Sequence, residues 1–179
     1  MERFPVFRSR DSEETRAFLD EKQFRFDMAP RQRPALGAQL NGVYLPSMYL
    51  GYIEYGGAAV ATTATSGRSD YWIQIALRGN IEVAAGRDVI ACDAAHAALT
   101  SPNREPTVRS GPGSARFHVS LTEAALVRQL TMLLGEPAPR HSHLTRKSRS
   151  RTDTAAASST RCTLRLRILN ATARCWRTR

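Results

Sequence analysis

The histidines and cysteines of this chain are the residues best suited to metal binding or nucleophilic catalysis. Imidazole and carboxylate groups together suit iron, manganese or zinc. His96 and His118 each stand alone, however, and the one H-x-H pair, His141 and His143, has no carboxylate near it. These are the surroundings of ordinary strand and loop histidines. We therefore expect no metal site and no cofactor.

Motifs for covalent catalysis and for nucleotide binding are absent from the sequence. No G-x-S-x-G stretch, P-loop or dinucleotide fingerprint is present. Cys92 lies in an apolar stretch, where a cysteine usually behaves as a small buried hydrophobic residue. With Cys162 and Cys175 it makes an odd number without a CxxC pair, which fits a reducing compartment. We predict no catalytic residues and no enzyme activity.

A set of aromatic and polar residues points instead to ligand binding. In a small β-barrel, one alternating face of several strands lines the interior. Aromatic rings beside an amide or a guanidinium can orient a small organic molecule there. The same rings can instead fill the core or coat the outer surface, and the sequence does not say which face points inward. The predicted ligand-binding residues are Tyr44, Tyr52, Trp72, Gln74 and Arg78.

The elements that position these residues have the pattern of a β-protein. Apolar residues alternate through 71–78, which is typical of a half-buried strand. Gly79-Asn80 then favours a tight hairpin, and the alternation resumes at Ile81. Short strands with a turn signal about every eight to twelve residues indicate a sandwich or barrel. Further strands are predicted over 36–45, 48–55, 58–65, 89–92, 95–99, 107–110 and 115–121.

Two helices flank the predicted strands. Asp11 followed by Glu14 resembles a capping box and begins a short helix over 11–23, which we expect to cover a sheet edge. Thr122 caps a second helix over 122–134, whose leucines recur at helical spacing. This leucine stripe must be buried against the sheet, a second helix or a partner.

The positive charge of the chain is concentrated in its last forty residues. Residues 1–139 contain 15 Lys/Arg and 15 Asp/Glu, whereas 140–179 contain 11 Lys/Arg and the single acid Asp153. Such a polar, like-charged segment buries too little apolar surface to offset its ordering entropy, so we predict a tail that is disordered or only marginally structured. It would bind DNA phosphates weakly and without specificity, because no element that could contact base edges is visible.

The sequence also predicts where the protein acts. No apolar run approaches the roughly 18 residues of a membrane span. The N-terminus lacks the apolar core of a secretory signal. We predict a cytoplasmic protein with no membrane partner.

The order of these elements resembles the ligand-sensing N-terminal domain of AraC-type transcription regulators, in its AraC-binding-like branch. The similarity covers residues 9–139 and rests on Leu77-Arg78-Gly79 in the hairpin, Ser101-Pro102 after the predicted strand over 95–99, and Leu133-Leu134-Gly135 at the helix end. It implies a mainly β, cupin-like antiparallel barrel with a short helix before it and another after it. Cys92-Asp93 stands where the family often has Pro-Gly.

The resemblance also implies partners. Domains of this family bind a small organic effector and dimerise through helices that follow the barrel, usually two of them. The dimerisation residues it implies here are Leu126, Leu130 and Leu133. Because the basic tail stands where a second helix would be, we expect a weak homodimer or none.

A DNA-binding domain is the part of the resemblance that the sequence lacks. Paired helix-turn-helix units need on the order of a hundred residues of helical pattern, which residues 140–179 do not supply. The tail is either translated from a shifted reading frame or a genuine disordered segment. We therefore predict an effector-sensing and dimerisation domain, truncated before its DNA-binding half. The alternative is a metal-dependent enzyme of the cupin fold, or a small-molecule-binding protein.

Overall fold

The computed structural model describes residues 3–65, 69–93 and 95–135, together with the backbone of 165–169. Within these residues it has two β-sheets, two α-helices and one short 3-10 helix. The helices are α1 (Ser12–Glu21), α2 (Glu123–Leu134) and the 3-10 helix Pro30–Ala35. The strands are β1 (Pro5–Ser9), β2 (Phe24–Asp27), β3 (Leu36–Leu45), β4 (Met48–Gly56), β5 (Val60–Ala64), β6 (Asp70–Arg78), β7 (Ile81–Ala85), β8 (Asp88–Cys92), β9 (His96–Thr100), β10 (Thr107–Ser110), β11 (Ala115–Thr122) and β12 (Arg165–Leu169).

The strands form a first sheet of seven and a second sheet of five. The first has the order β1-β3-β4-β11-β6-β9-β12, and the second has the order β2-β5-β10-β7-β8. Neighbouring strands run antiparallel except for β9 and β12. Strand β11 lies at the centre of the first sheet, between β4 and β6. Its inward side chains therefore lie in the middle of the molecule.

The core lies between the facing sheets and has two parts. In one part, Ala76 and Ala98 of the first sheet pack against Val83 and Val108 of the second. In the other part, the side chains come from both sheets and from α1. Its members are Leu19, Phe26, Leu36, Ala38, Leu40, Tyr55, Ala58 and Val60.

Helix α1 covers the edges of both sheets, as the sequence predicts. The Asp11 carboxylate accepts hydrogen bonds from the backbone N–H groups of Glu13 and Glu14 at 2.7 and 2.9 Å, which fixes the start of the helix. Leu19 buries its side chain in the core, and the helix contacts β1 and β2. These are the edge strands at one end of the two sheets. The helix thus protects edges that would otherwise be open to pairing.

The predicted mainly antiparallel β architecture with two flanking α-helices is confirmed, although β1 precedes α1 and β12 follows α2. The expectation of a closed barrel is corrected, because in the described ranges the hydrogen bonds form two separate sheets. Strands β1 and β2 were not predicted. They are short, and each pairs with a strand further along the chain, β1 with β3 and β2 with β5, so no hairpin turn signals them.

One segment of the basic tail is described, and it forms a strand. The backbone of β12 pairs in parallel with β9, with Arg165 opposite His96 and Leu169 opposite Thr100. No hairpin signal predicts this strand, because its partner lies far earlier in the chain. The prediction of disorder did not include this pairing, and the rest of the tail lies outside the described residues. No helix in the described ranges has the length and apolar character to cross a bilayer.

Candidate ligand-binding site

Three polar side chains on β11 point into the space between the sheets. Arg116, His118 and Ser120 alternate along the strand and are 4%, 8% and 9% exposed. Since alternate residues of a strand share a face, all three lie on the inner face. The alternation is visible in the sequence, but sequence reasoning did not select these residues. A strand with one apolar face normally buries that face, and β11 instead turns its polar face inward.

A cavity of about 440 Å³ lies beside this polar row. Its walls come from β1, β3, β4, β6 and β11 of the first sheet and from β2, β5 and β10 of the second, together with the end of α1. Tyr44, which is 74% exposed, borders the cavity where it reaches the surface. Cavities of this size hold small organic molecules.

Aromatic rings form much of the wall. The ring of Trp72 meets the imidazole of His118 edge-on, with centroids 5.2 Å apart. Phe24 lies 5.5 Å from Trp72, and Tyr49 lies 6.0 Å from His118, measured between ring centroids. Such rings present large, rigid apolar surfaces to a ligand.

Tyr49 lies across two glycines, Gly51 on its own strand β4 and Gly42 on the neighbouring strand β3. A Cβ atom at Gly51 would lie 2.7 Å from Cε1 of the Tyr49 ring, and one at Gly42 would overlap the phenol. The two glycines therefore allow the ring to lie close to the sheet. Burial, with a smaller contribution from Tyr44, raises the pKa of Tyr49 to about 12. The phenol is thus neutral at physiological pH and can donate a hydrogen bond.

The middle of the cavity carries an amide and an imidazole in contact. Nε2 of Gln74 lies 2.7 Å from Nδ1 of His118. Gln74 is buried, and its Oε1 atom has no hydrogen-bond partner among the described residues. A buried amide oxygen of this kind is an acceptor that a ligand can satisfy.

The inner end of the cavity holds a buried cation. The Arg116 guanidinium crosses from the first sheet to the second, where it donates hydrogen bonds to Oγ of Ser110 at 2.6 Å and to Oγ1 of Thr62 at 3.4 Å. Its carbon atom Cζ lies 5.9 Å from the centroid of the Tyr55 ring. Burial lowers the pKa of the Arg116 guanidinium, and Tyr55 partly offsets that shift. The side chain remains charged at neutral pH.

The other end of the polar row carries a carboxylate. The Ser120 hydroxyl donates a hydrogen bond to Oδ2 of Asp70 at 2.8 Å. Thr122, which also borders the cavity, accepts a hydrogen bond from the backbone N–H of Ala125 at 3.3 Å and so caps α2. The polar row thus runs from a cation, past an imidazole, to an acid, and it ends where α2 begins.

The structure brings three of the five predicted ligand-binding residues to this cavity. Tyr44, Trp72 and Gln74 line it. Tyr52 and Arg78 do not, and their assignment to the cavity wall is corrected. Tyr52 lies on the outer face of β4, opposite Phe117, where its hydroxyl hydrogen-bonds with Glu54.

Arg78 is placed outside by an irregularity in the strand pairing. Arg116 pairs with Ala76 and Ala115 pairs with Arg78, so Leu77 is an extra residue in the ladder. This bulge moves Arg78 from the face of Gln74 to the opposite face. There its guanidinium lies 2.7 Å from a carboxylate oxygen of Glu54. Turn and strand patterns in one sequence do not reveal such a bulge.

The metal and dimerisation candidates are placed as follows. No three His, Cys, Asp or Glu side chains in the described residues converge as metal ligands. Asp93 lies 2.8 Å from His96, and His141 and His143 lie outside the described residues.

On α2, Leu126 and Leu130 are half-buried, whereas Leu133 is 73% exposed.

Comparison with known proteins identifies the family. The family model of the AraC-binding-like domain matches residues 15–174. The chain belongs to the AraC-binding-like domain family. The match extends into the basic tail and includes β12. A comparison with curated proteins finds no match.

Solved structures of other proteins are similar to this AraC-binding-like domain. The AraC-like transcriptional activator CuxR matches with a TM-score of 0.57 and 12% identity, over 73% of this chain and 52% of CuxR. The chain thus spans about half the length of that activator. The Schizosaccharomyces pombe Cnp3 cupin domain matches with a TM-score of 0.41 and 12% identity, over 55% of this chain and 72% of that domain. The predicted cupin-like fold is confirmed by the family and by the likeness to CuxR.

Proposed function

We propose that this chain is the effector-sensing and dimerisation domain of an AraC-type transcription regulator, acting in the cytoplasm. The observation that carries the proposal is the cavity between the sheets, where Trp72 and Tyr49 supply aromatic walls and Arg116, His118 and Gln74 supply buried polar groups. A cavity with apolar walls and a few polar groups is the usual form of a small-molecule site. Membership of the AraC-binding-like family supports a role in sensing.

The connection between the cavity and α2 supports a role in regulation. Thr122 borders the cavity and caps α2, so the strand that would contact an effector continues directly into that helix. Leu133 leaves apolar surface of α2 exposed in the described part of the chain. We propose that α2 contributes to a weak homodimer, whose strength an effector in the cavity can change.

Thermal unfolding of the purified full chain tests the binding proposal. The compounds are benzoate, phenylacetate and hexanoate, their primary amides, and glucose. We expect at least one to raise the unfolding temperature at millimolar concentration. Tyr49→Ala should weaken this effect, because the ring lines the cavity. Tyr52→Ala is the matched control on the outer face of the same strand.

Two results would overturn the proposal. One is a panel in which no compound raises the unfolding temperature. The other is an equal loss of binding in Tyr49→Ala and Tyr52→Ala. We also propose that the chain catalyses no reaction, and metal analysis of the purified protein tests this. Stoichiometric iron, manganese or zinc would instead favour a cupin-fold enzyme.

A further inference from the structure

Arg116 is a buried cation without an acidic partner. None of the ion pairs within the described ranges involves it. Its hydrogen-bond acceptors are the neutral hydroxyls of Ser110, Thr62 and Tyr55, and its Nε atom has no partner among the described residues. A buried charge is costly unless an opposite charge compensates it. Such a side chain at the inner end of a cavity therefore favours an anionic ligand.

The acids that border the cavity lie away from Arg116. Asp70 accepts a hydrogen bond from Ser120, four residues along β11 from Arg116, which corresponds to about 13 Å on an extended strand. Glu21 is exposed and contacts Lys22 at 2.8 Å. The inner end of the cavity is thus positive, and its acids lie toward the other end.

The geometry of the guanidinium favours a carboxylate over a phosphate. Arg has five N–H donors in a planar fork that matches the two oxygens of a carboxylate. Some of these donors already serve Ser110, Thr62 and Tyr55, which leaves Nε and the remaining N–H groups. Arg116 supplies one positive charge, which balances one carboxylate, whereas a phosphate monoester carries nearly two negative charges. The other lysine or arginine bordering the cavity, Lys22, already contacts Glu21.

The rest of the wall suits an apolar body. Trp72, Tyr49 and Phe24 present rings, and Ile53 and Leu40 add aliphatic surface. We propose that the effector is a small organic monocarboxylate with an apolar or aromatic body, whose carboxylate binds Arg116. This inference rests on the proposed function, since it names the class of effector for the same cavity.

Isothermal titration of the full-length protein tests the inference with acids and their uncharged analogues. The probes are benzoate, phenylacetate and hexanoate, each paired with its primary amide, and inorganic phosphate. We expect at least one acid to bind ten-fold or more tightly than its amide, and phosphate not to compete. In Arg116→Gln the acid should lose this advantage and bind about as weakly as the amide. Arg109→Gln is the matched control, because Arg109 is exposed and paired with Glu82 at 2.7 Å.

The possible outcomes separate the inference from the function on which it rests. If amides bind as tightly as their acids to the wild-type protein, the inference is wrong and the proposed function stands. If phosphate competes with the acids at equal concentration, the ligand class is phosphate and the inference is wrong. If no acid and no amide binds, both fail. The wild-type comparison of acid with amide tests the inference even if Arg116→Gln does not fold. Arg116→Lys keeps the positive charge but not the planar fork, so it should retain a reduced preference for the acid.

Discussion

Nε2 of Gln74 lies 2.7 Å from Nδ1 of His118, and the two residues stand opposite each other on β6 and β11. An amide nitrogen only donates, so Nδ1 of the imidazole accepts and the neutral ring carries its proton on Nε2. Both side chains are buried. The contact therefore sets the orientation of two polar groups on the cavity wall before any ligand enters.

A double-mutant cycle measures this contact. Gln74→Met and His118→Leu should each lower the free energy of unfolding, because each removes one side of a buried hydrogen bond. The double variant should lose less than the sum of the two, by about 0.5–1.5 kcal/mol. Urea denaturation gives the three values. Gln74→Met combined with Arg109→Ala is the control and should be additive, and a coupling no larger than that of the control would contradict the contact.

Arg116 should stabilise the unliganded protein less than an apolar residue of similar length. Replacing it with Met removes a buried charge that no acid compensates in the described structure, so we expect the free energy of unfolding to rise by about 1–2 kcal/mol. The same variant should lose binding of organic acids. Urea denaturation without ligand is the measurement. A loss of stability would show that the hydrogen bonds to Ser110 and Thr62 outweigh the desolvation of the guanidinium.

Gly42 should be needed for the shape of the cavity. A methyl group at this position would overlap the phenol of Tyr49, so Gly42→Ala should displace the ring from the sheet into the cavity. We expect ligand affinity to fall several-fold in titration calorimetry. With Tyr49→Ala as the background there is no ring to displace, and Gly42→Ala should then have little further effect. An equal effect in both backgrounds would contradict this role of the ring.

Tyr49 should also make stability depend on pH in the alkaline range. Its folded pKa of about 12 lies above the ordinary value of 10.0, because burial disfavours the phenolate. The resulting stabilisation is fully present below pH 10 and is lost as the pH rises from 10 toward 12. Tyr49→Phe should therefore lose less stability than the wild type between pH 9 and pH 11. Equal losses in urea denaturation would mean that the ring is solvated in the folded protein.

Leu133 tests the proposed role of α2. Because its side chain is 73% exposed, Leu133→Glu should leave the free energy of unfolding of the monomer within about 0.5 kcal/mol of the wild type. Sedimentation velocity should show a concentration-dependent homodimer for the wild type and a shift to monomer for the variant. A dimer of unchanged strength in Leu133→Glu would exclude this part of α2 from the interface.

Local patterns predict much of the fold and less of the site. Strand β6 is predicted by the alternation of apolar residues, and the turn at Gly79 is predicted by the glycine itself. Both signals are properties of short stretches of sequence. Trp72 and Gln74 were predicted as ligand-binding residues and line the cavity. Arg78 was placed wrongly because a bulge depends on the partner strand.

The polar row of β11 shows a second limit of sequence reasoning. Phe117 and Val119 offered an apolar face that would ordinarily be buried, yet Arg116 and His118 point into the molecule. Which face points inward depends on how β11 is placed between β4 and β6, and those strands lie far away in sequence. The pairing of β12 with β9 escaped prediction for the same reason.

The fluorescence of Trp72 tests the central claim, that a small organic molecule binds between the sheets, most directly. The chain has two tryptophans, so Trp176→Phe leaves Trp72 as the single emitter on the cavity wall. Titration with benzoate, phenylacetate, hexanoate and their amides should produce a saturable change in emission for at least one compound, and Tyr49→Ala should weaken it. Emission that stays constant or changes only linearly with every compound would contradict binding in this cavity.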